Sequence, residues 1–327
     1  MDSRLSPFYY PKFSLDAPRY PTDSFLGRYL NFVDLIDPRT LFASSKRLED
    51  AKRLLEDYKQ GKASDVPDKE LWQASKLVAS TFHPDTGEKI LPPFRMSGYV
   101  PFGWITVTGM LLPNPSWGSI LFWQWANQSH NACVNYANRN ASNPQPFAVY
   151  GKAYLAAVGA AMSISATLTY VIRSFKNLTT TQRLIIQRFV PLPATSLAST
   201  LNVLCMRMPE IQKGIDVMDA DGNVIGVSRE AAKKAVKETA MTRAFLPIPL
   251  LLLPPCIMPF IEKYKFVQKS AGRHLFVNAV VCTLSFGFSL PIALALFPQT
   301  STISRDQVEP HIQEKTQQQT LYFNKGL

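Results

Sequence analysis

Residues 96–138 read MSGYVPFGWITVTGMLLPNPSWGSILFWQWANQSHNACVNYAN, and from Met96 to Asn138 there is no Asp, Glu, Lys or Arg. About 18 apolar residues suffice to cross roughly 30 Å of hydrocarbon, so the run is long enough to enter a bilayer. Working outward, four more stretches lack the same four residue types: Ala153–Ile172, Phe189–Met206, Ala244–Ile261 and Leu275–Ser304. By contrast, residues 1–95 hold 15 Lys+Arg and 14 Asp+Glu. The mean hydropathy near zero is therefore an average of two unlike parts. This pattern excludes a simple soluble enzyme and reads as an all-α, polytopic membrane protein with about five transmembrane helices and one short or re-entrant element.

The expected organisation follows the charges. Residues 1–95 form a polar, helical N-terminal region, 96–206 hold the first transmembrane helices, and 207–243 are a polar loop. Residues 244–297 carry the last two transmembrane helices and 298–327 a C-terminal tail. Inside 96–138 the chain forms either two spans hinged at Pro113-Asn114-Pro115 or one span and a shorter re-entrant element, the reading preferred here.

The net charge of +11 comes from 35 Lys+Arg against 24 Asp+Glu, and nearly all of the excess follows residue 95. Arg173, Lys176, Arg183 and Arg188 share one loop without an acid, while Lys263, Lys265, Lys269 and Arg273 face Glu262 in another. Two spans separate these loops, which puts both on one side, the positive one. Such charge reads as membrane topology and lipid headgroup contact. Nucleic acid would require a contiguous basic face interleaved with stacking aromatics, so no nucleic-acid partner is expected.

Met1–Tyr20 contains Asp2, Asp16 and three prolines, so no cleavable secretory signal or presequence is expected and any organelle address is internal. Cys133, Cys205, Cys256 and Cys282 lie in candidate spans without a CxxC pair, which argues against a disulfide framework or a zinc site. No GxxxxGK[ST], HExxH, GxSxG or GxGxxG occurs, and the signature of the mitochondrial carrier family is missing. No cofactor, metal or catalytic residue is expected.

In the N-terminal region, Thr22-Asp23-Ser24 precedes Phe25, Leu26, Tyr29, Phe32, Val33 and Ile36 at helical spacing, with Asp37-Pro38 as the stop. This helix is amphipathic, either packed or lying on the bilayer. A second helix is expected over about Lys46–Gln60 with Gly61 as its cap, and a third from Pro67. In the polar loop, Asp219, Asp221, Asn223 and Glu230 are spaced like a calcium loop, but Val224 stands where the turn demands glycine. A hairpin of Ile215–Asp219 and Val224–Val227, followed by a helix capped at Ser228, is the competing reading.

The stretch that bears most on function is FWQWANQSHNACVNYANR, Phe122–Arg139. Asn127, Asn131, Asn135 and Asn138 recur at spacings of four, four and three, with Gln124 and Gln128 one turn apart beside them, so a helix gathers them into one amide stripe. Amides facing lipid cost several kcal/mol each; the stripe must face protein or a watery cavity, as substrate lining or as interhelical glue. A neutral amide offers donors and an acceptor, which suits a polar or zwitterionic solute. These six and Asn202 are the candidate substrate-binding residues. Pro254-Pro255 is the best candidate for a broken helix with half-helix ends, or else a packing kink. Arg207 and Glu210 form a gate or an end-of-helix pair. His83 and Asp85, in the turn His83–Lys89, are further gate or structural residues.

Taken together, DSFLGRYLNF, DPRTLF, HPDTGEK, FWQWANQSHNACVNYANR, NVLCMRMPEIQKGIDVMDADGN, ALFPQ and YFNKGL resemble the sideroflexin family over nearly the whole chain. Length and N-terminus are most similar to the fungal branch. Departures are Ile90-Leu91-Pro92-Pro93 after HPDTGEK and the loop at Pro113-Asn114-Pro115. The resemblance implies a multi-pass mitochondrial inner-membrane transporter of serine, or of other small neutral amino acids, that feeds one-carbon metabolism. Two alternatives stay open. One is a non-transporting scaffold that docks inner-membrane protein partners through residues 1–95. The other is a tricarboxylate or iron carrier, for which the spans hold too few cations and too few His, Cys or carboxylate groups.

Overall fold

A computed structural model describes the chain except residues 1–5, 7, 16, 63–64, 84–85, 113–114, 139–145, 176, 221, 297–299 and 326–327; for 180, 181 and 184 it describes the backbone alone. The chain divides into two compact units: 1–108, 130–144 and 262–296 in the first, and 109–129, 145–261 and 297–327 in the second.

The first unit opens with α1 (Phe25–Leu35), α2 (Ser45–Lys59) and α3 (Asp68–Ala79). They begin and end where the sequence places them. The Ser24 hydroxyl accepts from Gly27 N, the Ser44 hydroxyl from Arg47 N, and Gly61, at φ 75°, takes the left-handed turn after α2. The inner faces of α2 and α3 join Leu48, Ala51, Ala74 and Leu77. Phe13 wedges edge-on against Trp72 and Tyr58, at 4.9 and 5.0 Å between ring centroids.

Charge fastens α3 to the end of α1. Lys76 Nζ donates to Asp34 Oδ1 at 2.9 Å and to Asp37 Oδ2 at 2.7 Å, while the Arg39 guanidinium forks onto the same Asp37 carboxylate. Burial works to raise the Asp37 carboxyl, but the bonds from Arg39 and Lys76 outweigh it and hold it well below the usual carboxylate range. The long helix α12 (Ala271–Leu296), preceded by the short α11 (Lys265–Gln268), completes this unit, and Arg28 Nε of α1 donates to Ala295 O at 2.9 Å.

The two units share α4 (Tyr99–Met110) and α5 (Trp117–Ala137). At 1.5 Å per residue, the 12 residues of α4 reach only about 18 Å and the 21 of α5 about 31 Å. The run Met96–Asn138 is thus one short and one long helix. Of the expected hinge, Pro113 and Asn114 lie outside the described residues.

The second unit carries α6 (Phe147–Ser174), α7 (Thr180–Gln187), α8 (Pro191–Lys213), α9 (Arg229–Phe245) and α10 (Pro247–Ile261). Along α6, Ala153, Ala157, Ala161, Ser165 and Thr169 bury one stripe at steps of four, and Ala157 and Ala161 cluster with Ala198 of α8. Small residues let two backbones approach closely. The outward faces are large and apolar, with Leu155, Tyr170 and Phe260 all about two-thirds exposed.

Among the described residues, four helical runs are long and apolar enough to cross a membrane: Phe147–Ser174, Ile185–Lys213, Arg229–Ile261 and Ala271–Leu296. The expectation was five spans; α5 has the length for the fifth, but its amides keep it below the apolarity of the other four. Nor does the chain break at Pro254-Pro255. The helix α10 runs through both, and both are buried, so the kink-and-packing reading replaces the half-helix ends.

The class is largely helical, with one small sheet. Strands β1 (Ile215–Met218) and β2 (Val224–Ser228) form the expected hairpin, pairing Ile215 with Ser228 and Val217 with Gly226. Asn223 N donates to Asp219 Oδ1 at 2.8 Å, and Gly222, at φ 85°, makes the turn. The C-terminal tail adds β3 (Thr300–Ser304) and β4 (Thr320–Asn324), giving the order β2-β1-β4-β3. Between them lies α13 (Pro310–Gln313). The core beneath draws Val217 from the hairpin, Ala231 and Ala235 from α9, and Ile303, Ile312, Leu321 and Phe323 from the tail. The tail also caps α9, since Glu309 Oε1 accepts from Arg229 N at 2.6 Å beside the Ser228 cap.

Two outcomes are expected. Phe323→Ala empties the centre of this core and lowers unfolding stability by about 3–5 kcal/mol, read from thermal unfolding in detergent. Because the folded pKa of Asp37 is depressed, its stabilisation is fully present above the unfolded value of about 4 and is lost as pH falls through the folded one. Hydrogen exchange of α1–α3 should therefore accelerate in strong acid, and in Asp37→Asn it should already be fast at neutral pH.

Candidate functional site

The amide stripe occupies one continuous helix, yet its two halves do different things. In the second unit, Gln124, Asn127 and Gln128 are buried, at 2%, 6% and 3% exposure. Gln124 Oε1 and Gln128 Nε2 have no hydrogen-bond partner among the described residues. Next to them, Trp125 Nε1 donates to the Tyr154 hydroxyl of α6 at 3.0 Å and Ser129 Oγ meets the same hydroxyl at 2.9 Å, which fixes this half of α5 against α6. The same unit holds further buried polar atoms without partners among the described residues, Ser165 Oγ, Thr195 Oγ1 and Asn202 Oδ1 among them. Buried amides and hydroxyls left in this state can receive a polar solute and release it.

In the first unit the stripe is bonded. Asn131 Oδ1 accepts from the Tyr99 hydroxyl at 2.6 Å, and Asn138 Nδ2 donates to Phe94 O at 2.9 Å. His130 Nε2 donates to Pro93 O at 3.0 Å, and its ring stacks on Tyr99 with centroids 5.6 Å apart. Asn135 is half-buried and makes no side-chain hydrogen bond among the described residues. Glue and lining are the alternatives for the stripe; Asn131 and Asn138 bond Tyr99 and Phe94 to α5, while Gln124 and Gln128 keep buried atoms without partners among the described residues.

The remaining candidates that the structure describes make local hydrogen bonds. Arg207 Nε and Nη2 fork onto Glu210 Oε2 at 3.0 and 2.6 Å, and Nη1 donates to Thr239 Oγ1 at 2.8 Å. This is an end-of-helix pair that ties α8 to α9. His83 is buried, its backbone N donating to Glu88 O at 2.8 Å and its Nδ1 accepting from Thr86 N at 3.3 Å. Gly87, at φ 68°, closes the turn. Asp85 lies outside the described residues. Among the described residues no three His, Cys, Asp or Glu side chains gather as a metal site.

Sequence reasoning missed two features. On α12 the buried face carries a polar row, Asn278, Cys282, Ser285 and Ser289 at steps of four, three and four, beside apolar Val281, Phe286 and Leu290. That spacing is legible but is swamped by the apolar residues between. The other is Arg95, 4% exposed in the loop that α5 clamps; it ends the last charged segment before the spans and so reads as a boundary residue.

Residues 14–327 match the family model of the sideroflexins. The chain is 66% identical to Sideroflexin-5 of Caenorhabditis elegans over 97% of this chain and 96% of that one. It is 49% identical to Sideroflexin-5 of Homo sapiens over 97% and 94%. With the sideroflexin of Saccharomyces cerevisiae identity is 35% over 96% and 98%, so the family reading holds and the animal relatives share more residues than this fungal one. No solved structure matches the chain. The chain belongs to the sideroflexin family, a family of membrane transporters, and is a multi-pass membrane protein.

If Asn131 and Asn138 are glue, Asn131→Leu and Asn138→Leu each leave a buried group unpaired and cost about 1–3 kcal/mol. Thermal unfolding midpoints of the two variants, set against Asn135→Leu as a near-neutral control, check this.

Proposed function

We propose that this sideroflexin carries serine, or a closely related small neutral amino acid, across the mitochondrial inner membrane to feed one-carbon metabolism. One observation carries the reading: the buried polar side chains of the described spanning helices and α5 are uncharged. They include Gln124, Asn127 and Gln128 on α5, Ser165 and Thr169 on α6, Thr195 and Asn202 on α8, and Asn278, Ser285 and Ser289 on α12. A zwitterion presents donors and acceptors together, and neutral amides answer both without holding either so tightly that release fails. A tricarboxylate would call for several cations in the same places, and iron for clustered His, thiolate or carboxylate groups. The resemblance to other sideroflexins over nearly the whole length supports transport as the class of activity.

Scaffolding remains the second reading because Phe42, 87% exposed beside α2, offers a partner an apolar handle on the N-terminal region.

Lining and glue differ in sign. An amide kept for a solute, with an unpartnered atom, destabilises the protein, so Gln124→Leu and Gln128→Leu should raise the unfolding midpoint by a degree or more while lowering uptake of labelled serine into proteoliposomes at least tenfold. Uptake equal to wild type in a folded double variant would overturn transport through these residues, and intact assembly of partner complexes in that variant would then favour the scaffold.

A further inference from the structure

The turn His83–Lys89 and the loop after it hold a charge that the amide lining does not use. Arg95 is 4% exposed, and its Nε donates to Ile90 O at 2.8 Å. No acid among the described residues pairs with it, and burial alone pushes its guanidinium below the ordinary value. A buried cation with one neutral acceptor is costly unless an anion completes it.

Two further groups belong to the same knot. Thr81 O accepts from Ile90 N at 3.0 Å, Ile90 O accepts from Arg95, and Gly98 N donates to Arg95 O at 2.9 Å, so Thr81 and Arg95 are joined through Ile90, and Ser97 lies inside the turn that the Gly98–Arg95 bond closes. Thr81 Oγ1 and Ser97 Oγ are both fully buried and without partners among the described residues. The position of the loop is fixed from outside by Asn138 on Phe94 O and His130 on Pro93 O. A Cβ at Gly98 would collide with the Pro92 carbonyl, so the loop closes this tightly only with glycine there. One positive charge and two hydroxyls, all without a side-chain partner among the described residues, complement an oxyanion of single charge, and the fork of a guanidinium fits the two oxygens of a carboxylate. A phosphate monoester, close to doubly negative, would leave charge unbalanced.

We infer that Arg95, with Ser97 and Thr81, receives the α-carboxylate of the amino acid that this protein carries, a recognition site separate from the amide lining. The inference rests on the amino-acid reading above. It gives the protein a means of distinguishing an amino acid from the matching amino alcohol, which has the same amine and hydroxyl but no carboxylate.

The test uses the full chain in phosphatidylcholine nanodiscs, with the unfolding midpoint followed against L-serine, acetate and ethanolamine, and labelled serine uptake measured in parallel. Wild type should be stabilised by serine and by acetate and not by ethanolamine. Arg95→Gln should weaken the serine response at least tenfold, and Arg95→Lys, which keeps the charge and loses the fork, by less. Should Arg95→Gln fail to fold, Ser97→Ala and Thr81→Ala leave the charge in place and should each weaken serine severalfold. Serine stabilisation unchanged in Arg95→Gln, or in both hydroxyl variants, overturns the inference. So does stabilisation of wild type by phosphatidylglycerol in place of serine and acetate, which would assign the site to a lipid phosphodiester. Serine uptake that persists unchanged in Arg95→Gln removes this site alone and leaves transport standing. Absence of serine uptake in wild type removes the transport reading, and the acetate response still decides whether Arg95 binds a carboxylate.

Discussion

Inside hydrocarbon a polar group without a partner costs several kcal/mol, and that single constraint arranges this molecule. It turns the spanning helices inside out relative to a soluble protein. On α6 the buried stripe is alanine, serine and threonine, and on α12 the buried face includes asparagine, cysteine and serine beside Phe286 and Leu290, while Leu155, Tyr170 and Phe276 face outward. Dispersion between closely approaching backbones, not exclusion of water, then holds α6 to α8. The same constraint makes the exceptions informative. Gln124, Gln128 and Asn202 keep atoms without partners among the described residues, as do Ser165 and Thr195.

The two halves of α5 illustrate how one repeating pattern serves two ends. Steps of three and four put all the amides on one face, but a face only sets direction; what each amide meets depends on residues far away. Asn131 meets the Tyr99 hydroxyl and Asn138 meets the Phe94 carbonyl, more than 30 positions back along the chain. By holding that loop, the bonded half positions Arg95, so the glue is itself a support for recognition.

Local signals were legible and distant pairings were not. Ser24 before Phe25, Pro38 after Asp37 and Gly61 after α2 each act within a few residues, and each is where the sequence predicts it. The hairpin around Gly222 is of the same kind. The tail was not legible as part of a sheet, because TSTIS and TLYFN are short and mostly polar, and what makes them strands is pairing with each other and, through β4, with β1, about a hundred residues earlier. At Pro254-Pro255 the local rule predicted a break that packing overrides: both rings are buried along α10 and the helix continues. Arg95 was passed over because a charge beside a long apolar run looks like a boundary until its burial is seen.

The sheet has a bearing on biogenesis. Strands β1 and β2 precede α10 and α12 in the chain, and β3 and β4 follow them, yet all four hydrogen-bond in one layer. Partners in a single sheet must lie on the same side of a bilayer, so the chain between Ser228 and Thr300 has to cross an even number of times. A nascent molecule that inserts only one of those two helices strands half of the sheet on the wrong side, with Phe323 and Leu321 unable to reach Val217. Formation of the sheet is therefore a parity check on insertion, and a mis-threaded chain exposes an unfinished apolar core that quality-control proteases can recognise.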